Sequence, residues 1–160
     1  MPARASDTAF IGQLSEKVFN IYGPYKDTVS HWFELDLTAT LVALIDSKPA
    51  GFAMIGHLSR EKTIQHVSEL LAIAVEQEMR RVGIGERLIR EIEREAAELD
   101  VNRLFLHTAT ENLSAQRLFT RNGYSPCEIK IRFYPEGQDA LMMSKEIVRD
   151  VHGQRKNLSF

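Results

Sequence analysis

The chain has 160 residues, 44% hydrophobic and 26% charged, with a net charge of −2. That suffices for one domain with one core, and the near-neutral balance gives no strong field to draw in nucleic acid. No apolar run approaches the length of a membrane span. The lone Cys127 excludes an intrachain disulfide and a cysteine-rich metal site. The start, Met1-Pro2-Ala3-Arg4, lacks the apolar stretch of a signal peptide, so a cytoplasmic protein is expected. The five histidines are dispersed and form no H-E-x-x-H pair, and no metal is expected.

Ser6 or Asp7 can cap a first helix whose apolar side is Phe10, Ile11, Leu14, Val18 and Ile21, and Gly23-Pro24 stops it. A second helix is expected over 27–35, with Val29, Trp32 and Phe33 inward. Residues 40–45 and 50–58 read as strands joined by a turn at Asp46-Ser47-Lys48-Pro49. A polar loop around 60–62 leads to a third strand over 66–75. A long amphipathic helix over 84–99 follows, burying Ile84, Leu88, Ile89, Ile92 and Leu99, with pairs such as Glu86 and Arg90 on its wet face. Then come a strand over 104–109 and a short helix over 112–121 closed by Asn122-Gly123. A terminal hairpin pairs 125–133 with 140–145 across Pro135-Glu136-Gly137, and Cys127 within it reads as core. The order predicts one mixed α/β domain over 1–149 with helices on both faces of a sheet, and a polar tail over 150–160.

The stretch Arg80-Arg81-Val82-Gly83-Ile84-Gly85 joins the apolar third strand to the long helix. Two glycines let backbone approach a ligand closely, and the first N–H groups of a helix favour an anion. The arginines add charge-assisted hydrogen bonds. The P-loop pattern is absent, because no Lys-Ser or Lys-Thr follows the glycines. The dinucleotide fingerprint is absent too, because Arg87-Leu88 stands where it needs its last part. A plain strand-to-helix turn would also use glycine here.

A second pattern follows at one helix and one strand's distance: Asn112-x-x-Ala115-x-x-Leu118-Phe119-x-x-x-Gly123-Tyr124. Together with Arg80-x-x-Gly83-x-Gly85 it resembles the two signatures of the GNAT superfamily of acyl-CoA-dependent N-acyltransferases. The likeness covers Glu69 to Tyr124 well, the terminal hairpin moderately, and the first third only in its order of elements. It implies a bent, mostly antiparallel sheet, splayed open between two parallel strands, with acetyl-CoA in the gap. By that likeness the backbone of Ile73, Ala74 and Val75 would pair with the pantetheine arm. Arg80, Arg81, Val82, Gly83, Ile84 and Gly85 would hold the diphosphate. Asn112 would hold the arm or a nearby loop, and Ala115 and Phe119 would line the thiol end.

Acetyl transfer to nitrogen needs a neutral amine, a donor for the carbonyl oxygen and a proton for the leaving thiolate. Neutralising a lysine of pKa ~10.4 at pH 7 costs about 4.6 kcal/mol, whereas an α-amine near pKa ~8 costs about 1.4 kcal/mol. Glu69, on the numbering parity of Leu71, Ile73 and Val75, resembles by position the strand glutamate that serves as base in histone acetyltransferases. His107 stands where ribosomal-protein N-terminal acetyltransferases carry a glutamate base, and imidazole suits that work near neutrality. Both remain candidates. Phe119 departs from the family's tyrosine, which protonates the thiolate. Tyr134 is the substitute candidate, because Phe133-Tyr134-Pro135 resembles the aromatic loop that frames the acceptor in N-terminal acetyltransferases. The Val75 N–H is the expected carbonyl donor.

The reading is an N-acetyltransferase moving an acetyl group from acetyl-CoA to an amine by direct attack, without a metal. The acceptor is a small-molecule amine or a peptide amine, and Asp27, Glu34 and Asp36 would favour a cation. A homodimer is compatible with the family. The rival is a non-catalytic acyl-CoA sensor, for which Phe119 is the main support.

Overall fold

The computed structural model describes residues 1–35, 38–56, 66–80 and 82–148. Asp36, His57, the polar stretch 60–62, Arg81 and the tail expected over 150–160 lie outside them. Helices α1 (Thr8–Phe19) and α2 (Tyr25–Glu34) precede strands β1 (Thr38–Ile45), β2 (Lys48–Gly56) and β3 (Val67–Val75). Helix α3 (Ile84–Glu98), strand β4 (Arg103–Ala109), helix α4 (Leu113–Arg121) and strands β5 (Ser125–Lys130) and β6 (Ala140–Glu146) complete the chain. One six-stranded sheet runs β1-β2-β3-β4-β6-β5, antiparallel throughout except for the parallel pair β3–β4.

Two cores lie on the two faces. Ile11 and Leu14 of α1 and Val29 of α2 pack with Phe52, Met54 and Ala72 on one face. Leu88, Ile89 and Ile92 of α3 pack with Ile55, Leu104 and Leu106 on the other. The α3 periodicity thus selects its buried stripe as the spacing predicts, except that Leu99 caps the helix and is 37% exposed. Ile21 also departs from expectation: α1 ends at Phe19, and Ile21 is exposed in the turn beyond. The β1–β2 turn needs only Asp46 and Ser47, both at positive φ, so Lys48 and Pro49 belong to β2.

A polar cluster closes on itself on the α3 face. The Tyr124 hydroxyl donates to Glu93 Oε2 at 3.1 Å, and Lys145 Nζ donates to Glu93 Oε1 at 2.7 Å. Burial, then the Glu93 carboxylate, pushes the Tyr124 hydroxyl far above the ordinary phenol range. Glu86 pairs with Arg121 at 3.2 Å rather than with Arg90, tying α3 to α4. Strand β5 stops at Lys130, short of the expected 133, because Arg132 takes a positive φ and turns the chain. Its Cys127 is exposed rather than core: β5 is the sheet edge, with neither face covered.

Candidate active site

Strands β3 and β4 pair only from Val67↔Arg103 to Glu69↔Phe105, although they run on to Val75 and Ala109. Past Glu69 they diverge, and the facing backbone of residues 70–75 is left without a strand partner on that side. This is the expected splay. At its α3 end the chain enters the helix through Gly83 at φ 83°, a left-handed conformation that glycine adopts without strain. No side chain among the described residues caps α3, so its first N–H groups have no partner among them. A Cβ on Gly83 would meet nothing within 4 Å, whereas one on Gly85 would stand 3.3 Å from Leu118 Cδ2. Gly85 therefore serves the α3–α4 contact, and Gly83 faces open space.

Arg80 Nε donates to the Val75 carbonyl at 3.2 Å, folding back over the end of β3, while Val82 is exposed and Ile84 half-buried. Asn112 Oδ1 accepts from the Ala115 N–H at 3.2 Å and so caps α4. Gln116 Nε2 donates to the Ala109 and Thr110 carbonyls, fixing α4 against the end of β4. Phe119 is buried, edge-on to Tyr124, with half-buried Ala115 against the same core. An uncapped helix start, open space at Gly83 and an unpaired strand edge fit a ligand with a diphosphate and an extended arm.

The opposite face carries the titratable groups. Opposite β2, β3 has one extra residue: Met54 pairs with Ala72, but Ile55 pairs with Leu70, leaving Leu71 as a bulge. The alternation therefore changes phase. Leu70, Ile73 and Val75 pack on the α3 side, whereas Leu71, Ala72 and Ala74 pack towards α1 and α2. Glu69 thus points to the α1–α2 side, opposite Ile73 and Val75, which corrects the reading from its parity. There it meets His107, whose Nδ1 donates to Glu69 Oε1 at 2.8 Å, the carboxylate being only an acceptor. The side chain of His107 is 8% exposed and that of Glu69 28%. His107 Nε2 is buried with no hydrogen-bond partner among the described residues.

Aromatic rings close around this pair. Phe133 stacks on the His107 imidazole at 4.3 Å and 15°, and Phe105 meets it edge-on at 5.9 Å. Tyr134 packs on Tyr22 at 4.8 Å and edge-on to Tyr25 and Phe133. Burial first, then Tyr25, Tyr22 and Glu69, raises the Tyr134 hydroxyl well above the ordinary phenol range. Burial and then Glu69 raise Tyr25 also. The loop after α1 is bolted to the β5–β6 loop: Glu136 N–H donates to the Tyr22 carbonyl, and Gln138 Nε2 donates to the Ile21 carbonyl at 2.8 Å. A Cβ on Gly23 would stand 2.8 Å from Pro135 Cγ, so only glycine allows this approach.

Glu69, His107 and Tyr134 are thus brought to one place, while Ile73 to Arg80, Val82 to Gly85 and Asn112 to Phe119 lie along the splay and its α3–α4 rim. Phe133 of the expected aromatic loop joins them, as do Tyr22 and Tyr25, which the sequence patterns do not mark. The available signal was the aromatic content of two glycine- and proline-bearing loops. His31 and His66 are exposed.

Residues 10–124 match the model of the acetyltransferase (GNAT) family. The chain is 32% identical over 129 residues to N-alpha-acetyltransferase 20 of Dictyostelium discoideum, covering 79% of this chain and 71% of that one. It is 25% identical over 149 residues to the N-alpha-acetyltransferase of Sulfurisphaera tokodaii, covering 89% of each. Among solved structures, the ribosomal-protein-alanine N-acetyltransferase of Brucella melitensis superposes with a TM-score of 0.76 at 23% identity, over 91% of this chain and 98% of that one. The Salmonella typhimurium protein yncA, solved with its cofactor acetyl-CoA, gives a TM-score of 0.77 at 17% identity over 94% of each chain. With the family's model matched across most of its length and its splayed sheet in place, this chain belongs to the acetyltransferase (GNAT) family and is an acetyl-CoA-dependent N-acetyltransferase.

Proposed function

We propose that the enzyme acetylates a peptide α-amine. The observation that carries this reading is the rigid aromatic mouth, bolted between the loops at 20–24 and 131–139, around the Glu69–His107 pair. Flat, stiff rings suit a short backbone end. An α-amine also needs about 3 kcal/mol less than a lysine to become neutral at pH 7, a smaller demand on one carboxylate–imidazole pair. The two N-alpha-acetyltransferase relatives and the ribosomal-protein-alanine neighbour support the same class.

In this reading Gly83, Ile84 and Gly85 hold the diphosphate on the α3 N–H groups, with Arg80, Arg81 and Val82 beside it. Ile73, Ala74 and Val75 offer strand backbone to the pantetheine arm, and Asn112, Ala115 and Phe119 form the α4 side of that channel. Acetyl-CoA supplies the activated acyl group. The Glu69–His107 pair removes the proton from the incoming amine, and Tyr134 walls the acceptor mouth.

The test is a panel of peptides with free or blocked N-termini, with and without internal lysine, alongside small polyamines, with the acetylated atom located by mass spectrometry. Acetyl groups on N-terminal nitrogen alone are expected. Labelling of lysine Nε or of polyamines only would overturn the acceptor class. Phe119, lacking a hydroxyl, favours one rival: an acyl-CoA sensor. Tight CoA binding with no amine ever acetylated would establish it. Gly83→Ala tests the diphosphate site. No protein atom lies where the methyl would go, so about tenfold weaker CoA binding would come from ligand crowding and the strain of a left-handed alanine.

A further inference from the structure

The splay leaves one buried group incomplete. His107 Nδ1 is committed to Glu69, and Nε2, on a side chain more than nine-tenths buried, has no donor or acceptor from any described residue. A buried nitrogen without a partner costs on the order of 1–3 kcal/mol, and this one sits where β3 and β4 begin to part: Glu69 is the last paired residue, and His107 lies two beyond its partner Phe105. With Nδ1–H fixed by a carboxylate, the imidazole holds its lone pair on Nε2. On the far side, Phe119 carries no hydroxyl, so the family's usual thiolate donor is missing.

We propose that His107 moves the proton in both directions, taking it on Nε2 from the acceptor nitrogen and giving it to the departing sulfur, while Glu69 is a positioning residue that holds the ring through Nδ1. This rests on the acetyl-transfer reading above but not on which amine is the acceptor. As the nitrogen bonds to the acetyl carbon it loses one proton to Nε2, and the imidazole becomes imidazolium against the Glu69 carboxylate. When the carbon–sulfur bond breaks, the electron pair leaves on sulfur and Nε2–H returns the proton there. Amide and free thiol result, and His107 is neutral again. Phe133, 39% exposed and packed over the ring, is the part of the mouth that meets solvent, and the amine enters beside it. The Tyr134 hydroxyl is a poor competitor for the second step, because burial makes it reluctant to release its proton.

The assignment separates from a glutamate base by one comparison. If Glu69 only positions, Glu69→Gln keeps an acceptor for Nδ1–H and loses about tenfold in kcat, whereas Glu69→Ala loses more. His107→Ala should lose on the order of 10²–10³, and adding Glu69→Ala to it should cost little further, as for residues acting as a unit. Tyr134→Phe should lose only about two- to fivefold, against the on-the-order-of-10² loss expected of a general acid. Nitrogen-15 NMR of the unliganded protein supplies a readout free of turnover: His107 should carry its proton on Nδ1 in the native chain, and a tautomer mixture should appear in Glu69→Ala. Glu69→Gln as inactive as His107→Ala, a native Nε2–H tautomer, or a Tyr134→Phe defect near 10² would each overturn the proposal. Because the tautomer is read without substrate, its failure is distinct from a wrong acceptor.

Discussion

Two buried polar clusters tie this sheet to its surroundings, and they differ in one respect. Tyr124, Glu93 and Lys145 satisfy one another: both carboxylate oxygens are engaged, by a hydroxyl and an ammonium. Glu69 and His107 make one short hydrogen bond and stop, leaving a ring nitrogen with no partner among the described residues. The first cluster is complete without a ligand and the second is not. A closed network stabilises the fold, whereas an open one gives up stability to keep a site ready.

The sharpest way to break this contrast is a matched pair of leucine substitutions read by chemical denaturation. Glu93→Leu strands Tyr124 and Lys145 and should lower stability by about 2–3 kcal/mol, with kcat nearly retained in the protein that remains folded. His107→Leu removes an unsatisfied nitrogen from a half-open site and should leave stability within about 1 kcal/mol of the native value, on either side, while acetyl transfer falls on the order of 10²–10³. Equal losses from both would erase the distinction. Gly23→Val asks what keeps the open cluster covered. Its side chain would collide with Pro135, parting the two loops, and the acceptor KM should rise about tenfold, roughly 1.4 kcal/mol, with CoA affinity unchanged.

The smallest effect concerns pH. The fold raises the Tyr124 hydroxyl above its unfolded value of 10.0. Its contribution is therefore fully present below about pH 10 and is lost as the unfolded chain ionises above it, so stability should fall with rising pH there. Tyr124→Phe should flatten that fall; an unchanged slope between pH 9 and 11, about the range of phenol titration, would show that Tyr124 plays no part in it.

Local grammar carried most of the reading from sequence. The glycine turn before α3, the short helix that follows β4 and the apolar stripe of α3, Leu99 apart, each depend on residues within a few positions, and each stands where the spacing puts it. What escaped depends on distance in the chain. Gly23 needs Pro135, and Tyr22 needs Tyr134, more than a hundred positions away. Cys127 was read as core because a strand usually has a covered face, but burial in a sheet is set by strand order, which puts β5 at the edge. Both candidate bases were legible as single residues. Their hydrogen bond was not, because it depends on an irregularity in β3 that parity counting cannot detect.

That irregularity makes Leu71 a spare letter in β3. Were its codon lost, Ala72 would still face Met54 and Leu70 would still face Ile55, so the strand would regain strict alternation with the Glu69 carboxylate left beside His107. Flattening the bulge with Leu71 kept, not removing the residue, is what would turn the carboxylate over towards the apolar packing beneath α3.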